Sequence, residues 1–309
     1  MAAPNLLTVL LTGATGFLGS ALLPRLLEAG HRVICLGRRE PRTKHANVTF
    51  IPCHFGRDLP ELSIDWAAID AVLHLAASGV KAAHRTWLDC LQFNVVGTRR
   101  LLDVLGASAT RSPAFLMTQT FYEQLCGEHP QLLENPYIAT KHAASALVES
   151  WAASYRGRVA LAAIFQVYGP GDDPGSVLPY AARQLSRGAP AQFGSGRGLR
   201  DWIYVDDAVS AIMATLQCIS GPFPGPLLTV DIGTGELRSI RDMVERLALL
   251  TGLETAPLLD FDATRDRDDV SPTLAAAHLI DGWQPLVDCD EGLKRLIESE
   301  RAQSHLLLS

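Results

Sequence analysis

Short continuous apolar runs punctuate this chain: Leu6–Leu11, Val33–Leu36, Val48–Cys53, Ala71–Leu75, Ala114–Met117 and Val159–Phe165. Runs of this length without polar alternation read as strands buried on both faces, as in a parallel sheet. Between them, Ser20–Ala29, Trp87–Leu105, Ile138–Tyr155 and Val205–Ile219 place apolar residues at the three- and four-residue intervals of a buried helix face. Strands alternating with helices predict an α/β fold with a parallel sheet covered on both sides. Beyond Phe165 the pattern breaks up. Gly169-Pro170-Gly171, Gly194-Ser195-Gly196 and Gly221–Pro226 separate shorter elements, among them helices over Ser239–Leu250 and Glu291–Glu298. The expected division is therefore a main domain over 1–165 and a smaller, loop-rich lobe over 166–309, with 205–232 returning to the main sheet.

Where the first strand meets the first helix stand Gly13, Gly16 and Gly19. A glycine triplet in that context allows a tight turn, a close approach of backbone to a pyrophosphate, and close packing of helix on strand. The helix start offers free N–H groups and a partial positive charge to the phosphates. This makes the sheet a Rossmann-like, doubly wound one that binds a dinucleotide. The second strand ends in Leu36-Gly37-Arg38-Arg39. A carboxylate there would repel a 2′-phosphate, whereas a guanidinium attracts it. The expected cofactor is NADP(H), in preference to NAD(H).

The 309 residues are 48% hydrophobic, enough for a large core, and carry a net charge of −6 with no basic block. A partner held through nucleic-acid phosphates is excluded on that balance. Six widely separated cysteines form no CxxC and no ligand cluster, so neither structural zinc nor a disulfide framework is expected, and a reducing, cytoplasmic compartment fits. The first apolar run is too short to span a membrane and lacks the basic flank of a signal peptide.

Tyr137 and Lys141 are four residues apart within a helical pattern, which puts phenol and ammonium on one face. A free tyrosine titrates near pH ~10, and an adjacent cation favours its ionised form. The expectation is a Tyr137 made acidic by Lys141 and able to exchange a proton with a substrate oxygen. Thr118 or Thr120, where a strand ends, offers a hydroxyl to polarise that oxygen.

These features together resemble the extended short-chain dehydrogenase/reductase family of NAD(P)-dependent nucleotide-sugar epimerases, dehydratases and reductases. Thr12–Gly19 (TGATGFLG) is similar to its opening motif, Asp70–Ala77 to the fourth strand and the turn beneath the cofactor, and Asn94-Val95-Val96-Gly97-Thr98 to its N-x-x-G-T helix. Tyr137 and Lys141 match the catalytic pair, and Thr118 the Ser/Thr four residues before the tyrosine of a tyrosine–glycine step. Val167–Gly171, Arg200–Asp207, Asp231–Gly235 and Gly282–Pro285 resemble later hallmarks. The resemblance implies cofactor contacts from Gly13, Thr15, Gly16, Phe17, Leu18 and Gly19, from Arg38 and Arg39, from His54 and Phe55, from Leu75, Ala76 and Ala77, and from Asn94, Tyr137 and Lys141. It implies substrate contacts from Thr120, Gln166 and Arg200, with Arg265 and Asp268 as a diphosphate- and ribose-gripping pair. It also implies a homodimer built on paired helices. Gln166 stands where the family usually has Asn, Cys53-His54 where it often has Gly-Asp, and Gln119-Thr120 where its dehydratases have Asp-Glu. The last departure removes the acid–base pair that eliminates water. Cys126 is read as a packing residue.

The reaction implied is NADPH-dependent reduction of a nucleotide-activated 4-keto-6-deoxy sugar. The alternatives are a nucleotide-sugar 4-epimerase with tightly held NAD(P), and a non-catalytic NADP-binding sensor.

Overall fold

The computed structural model describes residues 6–57, 64–81, 85–107, 112–155, 157–221, 225, 227–252, 258–266 and 272–306. The chain divides into two compact units, each assembled from separate stretches: 1–164 with 209–231, and 165–208 with 232–309.

The first unit is built on β1 (Thr8–Thr12), β2 (Arg32–Gly37), β3 (Val48–Pro52), β4 (Ala71–His74), β5 (Ala114–Thr120), β6 (Val159–Ile164) and β10 (Leu227–Ile232). They form one sheet in the order β10-β6-β5-β4-β1-β2-β3. The five pairings from β6 to β3 are parallel. The order reverses at β1, whose neighbours are β2 and β4, and ligands of such sheets bind at that switch point. All five residues of β1 and all four of β4 are buried, which is why their interiors are apolar without alternation, with Thr8, Thr12 and His74 at the strand ends. Helix α1 (Phe17–Glu28) buries Gly19, Leu22, Leu23 and Leu26, the stripe its spacing announces. Leu10, Val72, Phe115, Leu161, Leu101, Leu105 and Val148 meet in a single apolar core, each worth ~1.5–3 kcal/mol of burial.

Two local departures from the expected elements lie in this unit. The pattern Trp87–Leu105 is not one α-helix: α2 (Trp87–Cys90) passes into a π-helical segment, Leu91–Val96, before α3 (Gly97–Ala107). Strand β5 runs on to Thr120 instead of ending at Met117, because Thr118–Thr120 keep pairing with Ala162–Ile164 of β6. Helix α4 (Pro136–Ala152) carries Tyr137 and Lys141, starts at Asn135, whose side chain accepts from the Tyr137 N–H at 3.0 Å, and has Pro136 at its first position.

In the second unit β7 (Gln166–Tyr168) runs parallel to β9 (Leu199–Tyr204), and β11 (Leu237–Ser239) pairs antiparallel on the other side of β9. A second pair joins β8 (Ala191–Phe193) to β12 (Leu259–Phe261). Helices α5 (Val177–Ser186), α7 (Ile240–Leu250) and α8 (Cys289–Leu306) pack on one another through Leu178, Leu185, Val244, Leu247, Leu293 and Leu296. Helix α6 (Val205–Ser220) belongs to the second unit up to Ala208 and to the first from Val209. No helix among the described residues is long and apolar enough to cross a membrane.

Candidate active site

The glycine turn has the shape its sequence demands. Gly13 has φ +77°, and a Cβ there would lie 2.8 Å from the Ala76 nitrogen, so the turn is pressed against the end of β4. The Gly16 N–H closes the turn on the Gly13 carbonyl at 2.9 Å. A Cβ on Gly19 would stand 2.1 Å from that same carbonyl, which holds α1 tight on the turn. Gly16 caps α1 without any side-chain hydrogen bond, and the first turn holds no acid. A helix start left open in this way suits phosphate. Thr15 and Gly16 are exposed and Phe17 and Leu18 half-buried along the same turn, with Leu75, Ala76 and Ala77 half-buried across from it.

Arg38 and Arg39 lie exposed after β2, with the Arg38 guanidinium 5.9 Å from the centre of the Phe93 ring. His54 stands edge-on to the same ring, and its Nδ1 is buried without a hydrogen-bond partner. That orphaned nitrogen, the open helix start and the two exposed guanidinium groups fit a nicotinamide dinucleotide. Phe55 does not join them: its ring is 1% exposed, stacked on His74 and part of the core, so any contact from position 55 is left to its backbone.

Below the turn, a buried polar chain crosses three elements. Thr12 Oγ1 accepts the Ala76 N–H at 3.1 Å and shares a hydrogen bond with His74 Nδ1 at 2.8 Å; His74 Nε2 meets Thr98 Oγ1 at 2.9 Å. Burial pushes the His74 imidazole down to about 3, with the Lys141 cation adding to the effect. Asn94, in the π-helical segment, accepts from the Ser78 N–H at 2.7 Å and donates to the Ser78 carbonyl at 3.0 Å and to Thr140 Oγ1 at 2.9 Å. It thereby binds the end of β4 to α4. A π-turn inside an α-helix is a common mark of a functional site.

Tyr137 and Lys141 stand one turn apart on α4, and Lys141 reaches the strand end at Thr118. Lys141 is 4% exposed and its ammonium donates to the Thr118 carbonyl. The electrostatics differ from the expectation, however. Burial pushes the Tyr137 phenol up, and the next contribution is the carboxylate of Glu123, with Arg85 opposing and Cys90 reinforcing the shift. Burial pushes the Lys141 ammonium down, opposed by Glu123. The shift runs opposite to an acidification of Tyr137 by Lys141. The ammonium is directed at the strand end.

Glu123 is the residue the sequence reading missed. It lies on the short 3-10 turn Phe121–Leu125 after β5, is 6% exposed, and accepts from the Thr120 N–H at 2.8 Å, from the Ser145 hydroxyl, and from Gln119 Nε2 at 3.4 Å. The signal was present: Glu123 follows Tyr122 where the resembled pattern has glycine. Thr120 is buried at the strand end, and Cys126 is buried with its thiol donating to the Tyr122 carbonyl at 3.4 Å, a packing residue as read.

The second unit holds the remaining candidates. Gln166 opens β7, paired with Trp202. Arg200 is half-buried on β9, opposite Arg238, and donates to the Leu199 carbonyl at 2.7 Å. Arg265 already engages its own unit: Asp260 at 2.6 Å, and the Phe193 and Asp260 carbonyls at 3.2 Å. Its fork is thus partly committed to joining β12 to β8, which the R-x-x-D spacing did not reveal. Asp268 lies outside the described residues. Asp201, also missed, is 2% exposed and accepts from Thr234 N and Oγ1, Gly235 N and Ala276 N, at 2.7–2.9 Å.

Among the described residues no cluster of His, Cys, Asp or Glu is placed to hold a metal, and all six cysteines are free thiols.

Comparison with known proteins agrees with this geometry. The model of the NAD dependent epimerase/dehydratase family matches residues 9–225. CDP-abequose synthase of Salmonella typhimurium is 27% identical, with 94% of this chain and 97% of that protein covered. UDP-glucose 4-epimerase of Mycolicibacterium smegmatis is 29% identical over 96% of this chain and 99% of its own length. Among solved structures, MoeE5 in complex with UDP-glucose and NAD superposes with a TM-score of 0.77 at 28% identity, covering 96% of this chain and 99% of that one.

Proposed function

The chain belongs to the NAD-dependent epimerase/dehydratase family and is an oxidoreductase-type enzyme, and from that premise we propose that it reduces a nucleotide-activated 4-keto-6-deoxy sugar at the expense of NADPH. The observation that supports this reading is the placing of Tyr137 and Lys141 one turn apart on α4, with Lys141 held at the Thr118 strand end and burial raising the phenol's affinity for its proton. Reduction of a carbonyl needs a proton donor at the oxygen, whereas a reaction that begins by oxidising an alcohol needs a base. When bound, the nicotinamide supplies the hydride. Tyr137 gives its proton to the C4 oxygen, the Thr118 hydroxyl donates to the same oxygen, and the buried Lys141 cation stabilises the phenolate that remains. Arg38 and Arg39 would take the 2′-phosphate, the open start of α1 the pyrophosphate, and His54 Nδ1 a polar edge of adenine. Arg200 would bind the substrate diphosphate, and Gln166 and Thr120 the sugar. Elimination of water is disfavoured because Gln119-Thr120 carries no acid–base pair.

A homodimer and a cytoplasmic setting belong to the same reading. Trp87, Leu88 and Leu91 are 49%, 69% and 44% exposed on one helical stretch, and the free thiols suit a reducing compartment.

The relative named as an epimerase keeps a second reading open, a nucleotide-sugar 4-epimerase. Stoichiometry separates the two. Incubated with NADPH or NADH and a panel of nucleotide 4-keto-6-deoxy sugars, the enzyme is expected to consume one NADPH per product, followed at 340 nm, and to prefer NADPH. Conversion of a nucleotide hexose without net change in the cofactor would establish the epimerase instead.

A further inference from the structure

We propose that Glu123 is a positioning residue of the catalytic pair: its buried carboxylate, fixed by Thr120, Ser145 and Gln119, is the counter-charge of the Lys141 ammonium and keeps Tyr137 in its proton-donating form. The proposal rests on the reading of Tyr137 and Lys141 as the proton-transfer pair, and not on which sugar is reduced.

The geometry pairs two ladders. On α4, Tyr137, Lys141 and Ser145 follow one another at four-residue steps and share a face. At the end of β5, Thr118 and Thr120 lie two residues apart and point to the same side. Lys141 is held by the Thr118 carbonyl, and Glu123 is held by the Thr120 N–H and by the Ser145 hydroxyl. Cation and anion are thus anchored to adjacent steps of the same two elements, both with almost no exposure to water. An ionised carboxylate survives such burial only where donors and a cation surround it. Burial pushes the Glu123 carboxyl up; against it act three donors in hydrogen-bond reach and the positive charge of Lys141 and His142.

A negative charge in this position acts on both partners in one direction. It retains the proton of Lys141 and retains the proton of Tyr137. Against the burial that favours a neutral Lys141, the carboxylate thus favours phenol plus ammonium, the pair that can give a proton. Without the carboxylate either group would release its proton more readily, and the resting state would move toward a base, which serves oxidation of an alcohol.

The test needs neither sugar nor cofactor. The whole chain is labelled with [13Cζ]tyrosine and [13Cε]lysine and titrated by NMR from pH 6 to 11.5, with Tyr137→Phe and Lys141→Arg used to assign the two resonances. The other titratable groups facing the site are His142 on α4, Cys90 on α2, Arg85 before it, His74 on β4, Cys126 beyond the turn, and Asp231 on β10, which accepts from Gln124 at 2.7 Å. All are unchanged in the variants. In Glu123→Gln the first of the two groups to titrate is expected at least one pH unit below its wild-type midpoint, a tenfold gain in acidity; Glu123→Asp, which keeps the charge, should return most of that shift. Glu123→Met gives the same reading should the amide fail to fold. Midpoints that coincide within 0.3 unit overturn the proposal. Loss of the fold in both neutral variants overturns it too, because it would assign Glu123 to closing the turn after β5. A shift without turnover of any 4-keto sugar would leave Glu123 in place and remove the substrate reading.

Discussion

His74 shows how far burial can move a single residue here. The imidazole sits between Thr12 and Thr98 with 2% exposure, and its folded pKa is about 3 against an ordinary value of 6.5. Its folded pKa is depressed, so the unfolded chain binds the extra proton between these values, and stability present above pH ~6.5 is lost as the pH falls toward 3. From pH 7.5 to pH 5 this one group should cost about 2 kcal/mol. Urea unfolding at the two pH values is expected to show that difference in the wild type and to lack it in His74→Asn, which starts lower at pH 7.5. At this scale the sequence was legible where chemistry depends on spacing. Tyr137 and Lys141 could be placed one turn apart from their numbers alone. The partners of Glu123 and Asp201 could not, although a departure from the resembled pattern marks the first and a resembled motif contains the second. Only tertiary contacts bury these two carboxylates: Ser145 for Glu123, Thr234 and Ala276 for Asp201.

Among the elements, the parallel strands were the readable part, since a strand covered on both faces must be apolar throughout. Strand β5 was underestimated because its last three residues, Thr118-Gln119-Thr120, look like a loop yet pair fully with β6. The π-helical segment was unreadable. Its local sequence is a good helix, and the wider turn places the Asn94 amide where it meets both Ser78 and Thr140. Asn94→Ala removes three hydrogen bonds, strands the Ser78 amide and leaves the Ser78 carbonyl only the weak Cys90 thiol donor at 3.7 Å. A loss of about 2–4 kcal/mol is expected by thermal or urea unfolding, together with a weaker grip on the reduced nicotinamide dinucleotide, measured by its fluorescence. An unchanged melt would show that the segment holds its shape without that side chain.

For the molecule as a whole, the fold class was legible, and so was the return of the chain to the main sheet, expected over 205–232 and found over 209–231. The first unit needs residues 209–231 to place the last strand of its sheet, and those residues follow a long excursion through the second unit. A fragment ending at residue 165 therefore lacks β10 and leaves β6 at the rim. It is expected to be insoluble or to melt well below the full chain by circular dichroism. A fragment with a wild-type melt would show that six strands suffice.

The same order of strands matters while the protein is being made. β6 reads Val-Ala-Leu-Ala-Ala-Ile, almost wholly apolar, and its outer rim is covered only once β10 has left the ribosome. At ~5–20 residues per second that interval lasts several seconds. During that time the nascent chain displays a bare, sticky strand, so this edge is where a chaperone would be needed and where a slow-translating cell would lose material to aggregation.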